Sequence, residues 1–287
     1  MYCFTKSTCY DFAETLSLPE APNMTENMLS IQHILTNYYT FGSLIVTVLI
    51  GILSIFFLTL KDKTQSTKHL GLACFFLSLF QFGYLVGAFY YHPIAAYHRW
   101  FTGGFILFGI IHFGQFFFRF PNNEDKKIAD ILLYITYAIA SIVVIWFLIQ
   151  TSSSEKKYHF TAHHWDFNAE GASKLLGICI ALYSFKTFIL LPGYRLIKME
   201  KGKRRALTTL TLAALVAAIV PNITNVMSRD GAMERSTYLT AVVLFFTLAF
   251  FLITLVFINV STERTTFMVK IVGISFVTML LIMQAFS

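Results

Sequence analysis

Charged residues are scarce in this sequence of 287 residues. Asp, Glu, Lys and Arg make up 13% of it, whereas hydrophobic residues make up 56%. A soluble domain carries about 25% charged residues. The few charges are also unevenly spread, because long stretches contain none. This shortage argues against a soluble globular protein.

Cysteines and catalytic motifs are scarce as well. Cys3 and Cys9 lie in the N-terminal tail, where nothing requires a disulfide, and Cys74 and Cys179 lie in apolar stretches as small hydrophobic residues. No Cys/His spacing predicts a zinc site. No GxSxG, HExxH or phosphate-binding motif occurs. The sequence therefore predicts no enzymatic activity and no cofactor.

Long apolar runs are abundant instead. A bilayer core about 30 Å thick needs roughly 20 apolar residues in a helix. We predict an all-α, polytopic membrane bundle of seven transmembrane helices plus an eighth, C-terminal one, and no strands, because open sheet edges stay unpaired in lipid. The predicted segments are Tyr39–Leu60, His69–Tyr91, Phe101–Phe118, Ile128–Gln150, Ser173–Tyr194, Ala206–Met227, Thr237–Val260 and Phe267–Phe286.

The distribution of Lys and Arg predicts the orientation. One alternating set of connections carries 14 of these residues and the other carries seven. Basic residues favour cytoplasmic loops, so the N-terminal tail is predicted outside. The same rule explains the net charge of +7 without nucleic acid. We expect an external tail at 1–37, seven helices at 38–260, and a cytoplasmic turn with an outward eighth helix at 261–287, cut from a longer protein.

Polar residues inside a membrane are costly and mark candidate sites. Pro221 should kink the sixth predicted segment and free a carbonyl group near Asn222 and Asn225. Aromatic and basic residues lie at the same outer level, although an interface belt of aromatic residues explains them too. The leading hypothesis is an outward pocket for a small ligand, lined by Gln81, Tyr84, Tyr97, His98, Arg99, Trp100, Asn222, Asn225 and Arg229.

Two further intramembrane sets have both a functional and a packing interpretation. His112 and Gln115 share one helix face and could meet Gln81, either as a proton or ligand sensor or as hydrogen bonds between helices. Lys186 is either a counter-ion, with Asp130 as a candidate partner, or a side chain that reaches the headgroups.

One loop offers candidate metal ligands. His159, His163 and His164 lie between the fourth and fifth predicted segments, together with Asp166 and Glu170. Imidazole and carboxylate groups bind zinc and other divalent ions. Because no helix aligns these residues, a solvated surface loop remains the alternative.

Three strings carry a resemblance to a known family. They are "STKHLGLACFFLSLFQFGYLVGAFYYHPIAAYHRW" at 66–100, "LVAAIVPNITNVMSRDGAMER" at 215–235 and "FINVSTERTTFMVKIVGISFVTMLL" at 257–281. Together they resemble the seven-helix N-terminal sensory regions of multidomain bacterial signalling proteins, which continue into a HAMP linker and a histidine kinase, an adenylate or guanylate cyclase, or a SpoIIE-type phosphatase. This chain contains none of those output segments.

The resemblance implies a receptor module in the bacterial inner membrane. Its expected partners are the lipid bilayer, a small ligand and an output domain. A homodimer with a second copy of the chain is left open. The alternative is a small transporter or channel with a midplane polar site, which would show a discontinuous helix. A purely structural anchor is the third class.

Overall fold

The computed structural model describes residues 34–35, 38–120, 126–153, 157–161, 164–199, 201–229 and 232–260. Within these residues, seven helical spans are long and apolar enough to cross a membrane. The predicted all-α bundle of seven apolar helices is therefore confirmed, and it makes the chain a multi-pass membrane protein. The eighth predicted segment, Phe267–Phe286, lies outside the described residues.

Eight helices build the seven spans, because the fifth span joins two helices through a π-helical turn. A 3-10 turn precedes α3, and two short strands lie between α4 and α5. The elements are α1 (Tyr38–Thr59), α2 (Gln65–Phe89), the 3-10 turn (Pro93–Tyr97), α3 (His98–Arg119), α4 (Lys126–Ser153), β1 (Tyr158–Phe160), β2 (Trp165–Phe167), α5 (Glu170–Phe185), the π-helical turn (Lys186–Leu190), α6 (Leu191–Lys198), α7 (Lys201–Arg229) and α8 (Arg235–Val260).

Local sequence signals fix the starts of two helical elements. The Thr64 hydroxyl accepts a hydrogen bond of 3.2 Å from the Thr67 backbone N–H and caps α2. At the 3-10 turn, His92 Nδ1 accepts a bond of 3.1 Å from the Ile94 N–H. Pro93 opens that turn, where its missing N–H costs nothing.

Helix α3 lies at the centre of the bundle, and α4 lies at its edge. In the apolar windows of these two spans, 78% of the residues are buried in α3 and 17% in α4. Glycines let α2 approach α3 closely. A Cβ atom at Gly83 would lie 2.5 Å from Thr102 Cγ2, and one at Gly87 would lie 2.6 Å from His98 Cδ2. The residues of α3 are therefore the best placed to connect several helices.

Helix α4 exposes an apolar face. Its exposed residues recur at helical spacing and are mostly isoleucine, at positions 128, 131, 135, 139, 142, 145 and 149. A soluble protein rarely leaves so continuous an apolar surface open. Lipid tails cover such a face at no cost, which agrees with a membrane-spanning helix.

The two strands differ from the prediction of a strand-free chain. They form an antiparallel hairpin, in which His159 pairs with Asp166 and Phe160 pairs with Trp165. The argument from lipid does not apply to this hairpin, because it lies between two spans and not within one. We call the end of the bundle with this hairpin the hairpin end, and the end with the α1–α2 connection (60–64) the loop end.

Candidate functional site

Arg99 anchors the hairpin to the bundle. Its Nη1 atom donates to Asp166 Oδ1 at 2.9 Å and to the Phe167 carbonyl oxygen at 2.6 Å. Its Nη2 atom donates to Ser173 Oγ at 2.6 Å, and its guanidinium lies over the Phe167 ring. Since both side chains of the ion pair are less than a fifth exposed, the bonds form in a partly dry setting. Arg99 therefore ties α3 to β2 and to the start of α5.

A cluster of aromatic rings fills the space under the hairpin. His98 Nε2 lies 3.2 Å from the Trp165 carbonyl oxygen, and the His98 ring packs on Tyr84 and on His164. His164 is buried, and its Nδ1 atom lies 3.1 Å from Thr161 Oγ1. These contacts give His98 and Tyr84 a part in holding the hairpin in place.

Two tyrosines join the hairpin to the 3-10 turn. The hydroxyl groups of Tyr97 and Tyr158 lie 2.7 Å apart, and the Tyr97 ring packs edge-on against Trp100. Burial raises the pKa of the Tyr158 phenol, and its hydrogen bond with Tyr97 raises it further. Burial also raises the pKa of Tyr91. Both phenols are therefore neutral near pH 7, and Tyr97, Trp100 and Tyr158 form a structural contact.

A central cavity of about 170 Å³ lies inside the bundle. Most of its lining is apolar and comes from α2, α3, α7 and α8, with Phe113, Val242 and Phe250 as examples. Of its polar lining residues, Gln81 is only 2% exposed, and its Nε2 atom has no hydrogen-bond partner among the described residues. A buried amide without a partner costs about 1–3 kcal/mol. The cavity thus contains a hydrogen-bond donor that an acceptor group on a ligand would satisfy.

A lateral cleft of about 900 Å³ adjoins this cavity. It runs between α5 and α7, is mainly apolar and reaches Arg99 and Asp166 at the hairpin end. A Cβ atom at Gly177 would meet nothing within 4 Å, which reflects the open space there. The cleft and the central cavity share four lining residues: Ser184, Phe188, Ala218 and Asn222.

Asn222 lies where the two spaces meet. Its Nδ2 atom donates to the Ala218 carbonyl oxygen at 2.6 Å, one turn earlier in α7. This bond commits the amide nitrogen to the helix and leaves the Oδ1 acceptor on the side chain. Helix α7 continues through Pro221 to Arg229. The side chains of Asn225 and Arg229 lie outside the described residues, so their predicted role in the pocket stays a prediction.

The predicted outward pocket is therefore divided by the structure. Gln81 and Tyr84 line the central cavity, Arg99 lines the lateral cleft, and Asn222 lines both. Tyr97, His98 and Trp100 instead support the hairpin, as described above. The polar residues chosen from the sequence thus fall into a cavity-lining group and a structural group.

A second polar network lies toward the loop end. The Nδ1 atoms of His69 and His112 are 2.9 Å apart, and His112 Nε2 lies 2.5 Å from the Tyr137 hydroxyl. The His112 ring also stacks on Phe76. Three helices, α2, α3 and α4, each contribute one polar side chain to this chain of contacts.

Gln115 belongs to a neighbouring set of bonds. Its Nε2 atom donates to the Ala129 carbonyl oxygen at 2.9 Å, and its Oε1 atom accepts from Arg119 Nε at 3.0 Å. Arg119 Nη2 then donates to Asp130 Oδ1 at 2.5 Å. No hydrogen bond between described residues joins Gln81 to this set. The predicted cluster of His112, Gln115 and Gln81 is thus three separate environments.

Lys186 does not pair with Asp130, its candidate partner from the sequence, because Arg119 forms the ion pair with that carboxylate. The Lys186 ammonium instead lies 4.6 Å from the centre of the Tyr183 ring. Tyr183 in turn donates to the Thr136 carbonyl oxygen at 2.8 Å. Lys186 also opens the π-helical turn, a feature often found at functional sites.

The candidate metal ligands are dispersed. Among the described residues, no group of three or more His, Cys, Asp or Glu side chains could hold a metal ion. His159 is exposed beside the lateral cleft, while His164 is buried on Tyr84. Asp166 is held by Arg99, and His163 lies outside the described residues. The metal hypothesis gains no support from this geometry.

Sequence reasoning missed His69, Tyr137 and Arg119. His69 is the first residue of the predicted second segment and therefore looked like a boundary residue, although α2 begins four residues earlier. One signal was available, because His69 and Phe76 are two helical turns apart and lie on the same face. Arg119 resembles an ordinary basic residue at a helix end, and Tyr137 resembles one of many aromatic residues in a transmembrane helix.

No protein-family model, no curated protein and no solved structure matches this chain.

Proposed function

We propose that this chain is a membrane-embedded receptor module that binds a small, largely apolar ligand in the central cavity. The observation that carries the proposal is the Nε2 atom of Gln81, which is buried at a mainly apolar cavity and has no hydrogen-bond partner among the described residues. Ligand sites commonly combine an apolar lining with a few placed polar groups. A ligand with a carbonyl, carboxyl or hydroxyl oxygen would match Gln81.

The lateral cleft supports a route to this cavity from the bilayer. It adjoins the cavity through Ser184, Phe188, Ala218 and Asn222. An apolar ligand concentrates in lipid and would pass between α5 and α7 without crossing the hairpin. This route differs from the outward pocket expected from the sequence, because the ligand comes from the side.

Helix α8 is the element best placed to pass on the bound state. It lines the cavity with Tyr238, Val242, Phe246 and Phe250, and it packs against α7. A ligand that fits one arrangement of α7 and α8 better than another would shift the population toward that arrangement. In the family that the chain resembles, the output domain follows such helices. An inner-membrane location with the N-terminus outside completes the proposal and rests on the basic loops.

Native mass spectrometry tests the ligand. The full chain would be released from nanodiscs made with lipid extract of the expression host, and its bound adducts would be weighed. We expect an adduct that Gln81→Leu reduces by about tenfold, since one hydrogen bond to a buried amide is lost. Gln150→Leu, the same change on an exposed site of α4, should keep the adduct. No adduct, or equal adducts in both variants, would refute the ligand.

Hydrogen exchange of α7 and α8, with and without the adduct, tests the transmission. We expect slower exchange in peptides from both helices when the adduct is bound, because the ligand fills a cavity that they line. Unchanged exchange in both helices would remove the receptor mechanism and leave only binding.

A small transporter is the second candidate, and the π-helical turn at Lys186 favours it. This turn interrupts the regular helix of the fifth span. Two of its residues, Phe188 and Ile189, line the lateral cleft. Transporters use irregular helices around a midplane site. Movement of the adduct across proteoliposomes, abolished by Gln81→Leu, would favour this candidate over the receptor.

A further inference from the structure

The contact between His69 and His112 restricts where the hydrogens of the two imidazole rings can lie. Both imidazoles are buried, with 6% and 5% of their surfaces exposed, and they meet through the same kind of atom, Nδ1, at 2.9 Å. One hydrogen must lie between these two nitrogens, because two bare nitrogens or two N–H groups repel each other. One ring therefore donates and the other accepts.

The two neutral arrangements of the ring hydrogens differ in the hydrogen bond between His112 and the Tyr137 hydroxyl. When His112 donates from Nδ1, its Nε2 atom is bare and accepts from the Tyr137 hydroxyl. When His69 donates from Nδ1, His112 carries its hydrogen on Nε2 and donates to the Tyr137 oxygen. In this second arrangement the Nε2 atom of His69 has no hydrogen. The pair then has one vacant position for a proton.

We propose that His69 and His112 form a proton-binding site that takes up a single proton from the loop end and shares it between the two rings. A hydronium ion gives its proton to the bare Nε2 atom of His69, which forms an N–H bond and leaves water. Every contact of the chain is kept in this state. A second proton would place hydrogens on both Nδ1 atoms and break the contact, so the capacity is one.

The position of the pair gives the proton a path. His69 is the fifth residue of α2, about one turn from its start at the loop end, whereas His112 lies deeper along α3. The proton moves inward when the hydrogen between the rings shifts from His69 Nδ1 to His112 Nδ1. Uptake leaves His112 as the donor to Tyr137, which reverses the bond that the first neutral arrangement makes.

Charged groups on the surrounding helices act on this site. Lys68 on α2 and Arg119 on α3 oppose an added positive charge, and Asp130 on α4 favours it. Arg119 and Asp130 are paired with each other. In the fifth span, Lys186 of the π-helical turn lies on the Tyr183 ring, and Arg195 of α6 donates to the Phe120 carbonyl oxygen. Burial and the two cations oppose the added charge, so the proton is held by the hydrogen that the two rings share and by the Tyr137 oxygen, with Asp130 as the favourable charge.

Nitrogen NMR of the full chain, labelled with ¹⁵N-histidine and held in lipid nanodiscs, tests the site between pH 8 and pH 4. We expect the His69 and His112 signals to change together in one step that takes up one proton. His159→Gln serves as the control, because His159 is exposed on β1 and its loss should remove only its own signal. Two rings that stay neutral throughout, or that each take up a proton independently, would overturn the proposal.

Two variants separate a proton site from a packing contact. His69→Gln should abolish the joint step, leaving His112 without a partner for the shared hydrogen. Tyr137→Phe keeps both rings and their volume but removes the oxygen that accepts from protonated His112. We expect it to weaken proton binding by about tenfold, as loss of a hydrogen bond to a charged group does. An unchanged midpoint in Tyr137→Phe would exclude Tyr137 from the site, and a joint step that survives His69→Gln would refute the shared proton.

Discussion

The two halves of the bundle treat buried glutamine in different ways. Gln115, toward the loop end, uses both ends of its amide, one on the Ala129 carbonyl oxygen and one on Arg119. Gln81, toward the hairpin end, lines the central cavity, and its Nε2 atom has no partner in the part of the chain that the structure describes. The same side chain is thus internally satisfied in one half and open to a ligand in the other. Residue type alone does not show which polar group in a membrane is functional; its partners do.

The comparison extends to the charged residues. In the loop half, Arg119 serves to complete a network inside the bundle. In the hairpin half, Arg99 bonds to the hairpin, which lies outside the spans. The Gln81 amide therefore lies between two regions in which the charged side chains are well bonded.

Replacing Arg99 should have the largest effect. Arg99→Ala removes the ion pair of Asp166 and the bonds that tie β2 to α3, so we expect a loss of about 3 kcal/mol in the free energy of unfolding. The estimate takes the low end for a broken buried pair because both side chains are partly exposed. SDS titration in bicelles measures it.

The control for Arg99 is the charge-conserving change. Arg99→Lys keeps the positive charge beside Asp166 but cannot also reach the Phe167 carbonyl and Ser173, so its loss should be about half as large. A change below about 0.5 kcal/mol for Arg99→Ala, the size of an ordinary surface substitution, would mean that the hairpin is held by its aromatic contacts alone.

Leucine at the two glutamine positions should have opposite effects on stability. Gln115→Leu removes two buried hydrogen bonds, to the Ala129 carbonyl oxygen and from Arg119 Nε, and should lower the free energy of unfolding by about 2 kcal/mol. Gln81→Leu removes a buried amide nitrogen that bonds to none of the described residues, and it should raise the free energy of unfolding of the ligand-free protein by about 1 kcal/mol. The same titration measures both, after bound adducts have been washed out.

Equal losses for both glutamines would contradict the comparison. That result would mean that Gln81 has partners in the empty protein, such as ordered water, and that the two halves do not differ. A gain at Gln81 together with loss of the adduct would show a residue kept for binding at a cost in stability.

The seven spans could be predicted from the sequence because apolar length is a local property. The third span shows the limit. The sequence predicts Phe101–Phe118, but the span begins at Pro93, since a 3-10 turn continues into α3, whose first residues are the polar His98 and Arg99. Polar residues at a helix start resemble a loop when hydropathy alone is counted.

The contacts within the site depended on distances along the chain that the sequence does not show. The sequence predicts Arg99 as a pocket residue and places Asp166 in the loop of candidate metal ligands. The two residues are 67 positions apart and form one ion pair. The register of the hairpin brings them together. His69 and His112 are 43 positions apart and meet only because α2 packs closely on α3. Pairings of this kind follow from tertiary packing.

Two glycines offer the most delicate comparison between a closed helix contact and an open one. A Cβ atom at Gly87 would lie 2.6 Å from the His98 ring, which is itself held at the Trp165 carbonyl oxygen and cannot easily move. Gly87→Ala should therefore cost about 1–2 kcal/mol through overpacking of α2 against α3. Gly177→Ala, within α5 at the cleft, meets nothing and should gain about 0.5–1 kcal/mol, because alanine favours the helix. Thermal unfolding in nanodiscs, with the native chain as reference, measures both signs. A loss at Gly177 as large as that at Gly87 would mean that α5 and α7 touch where the lateral cleft is described, and the route to the cavity would be closed.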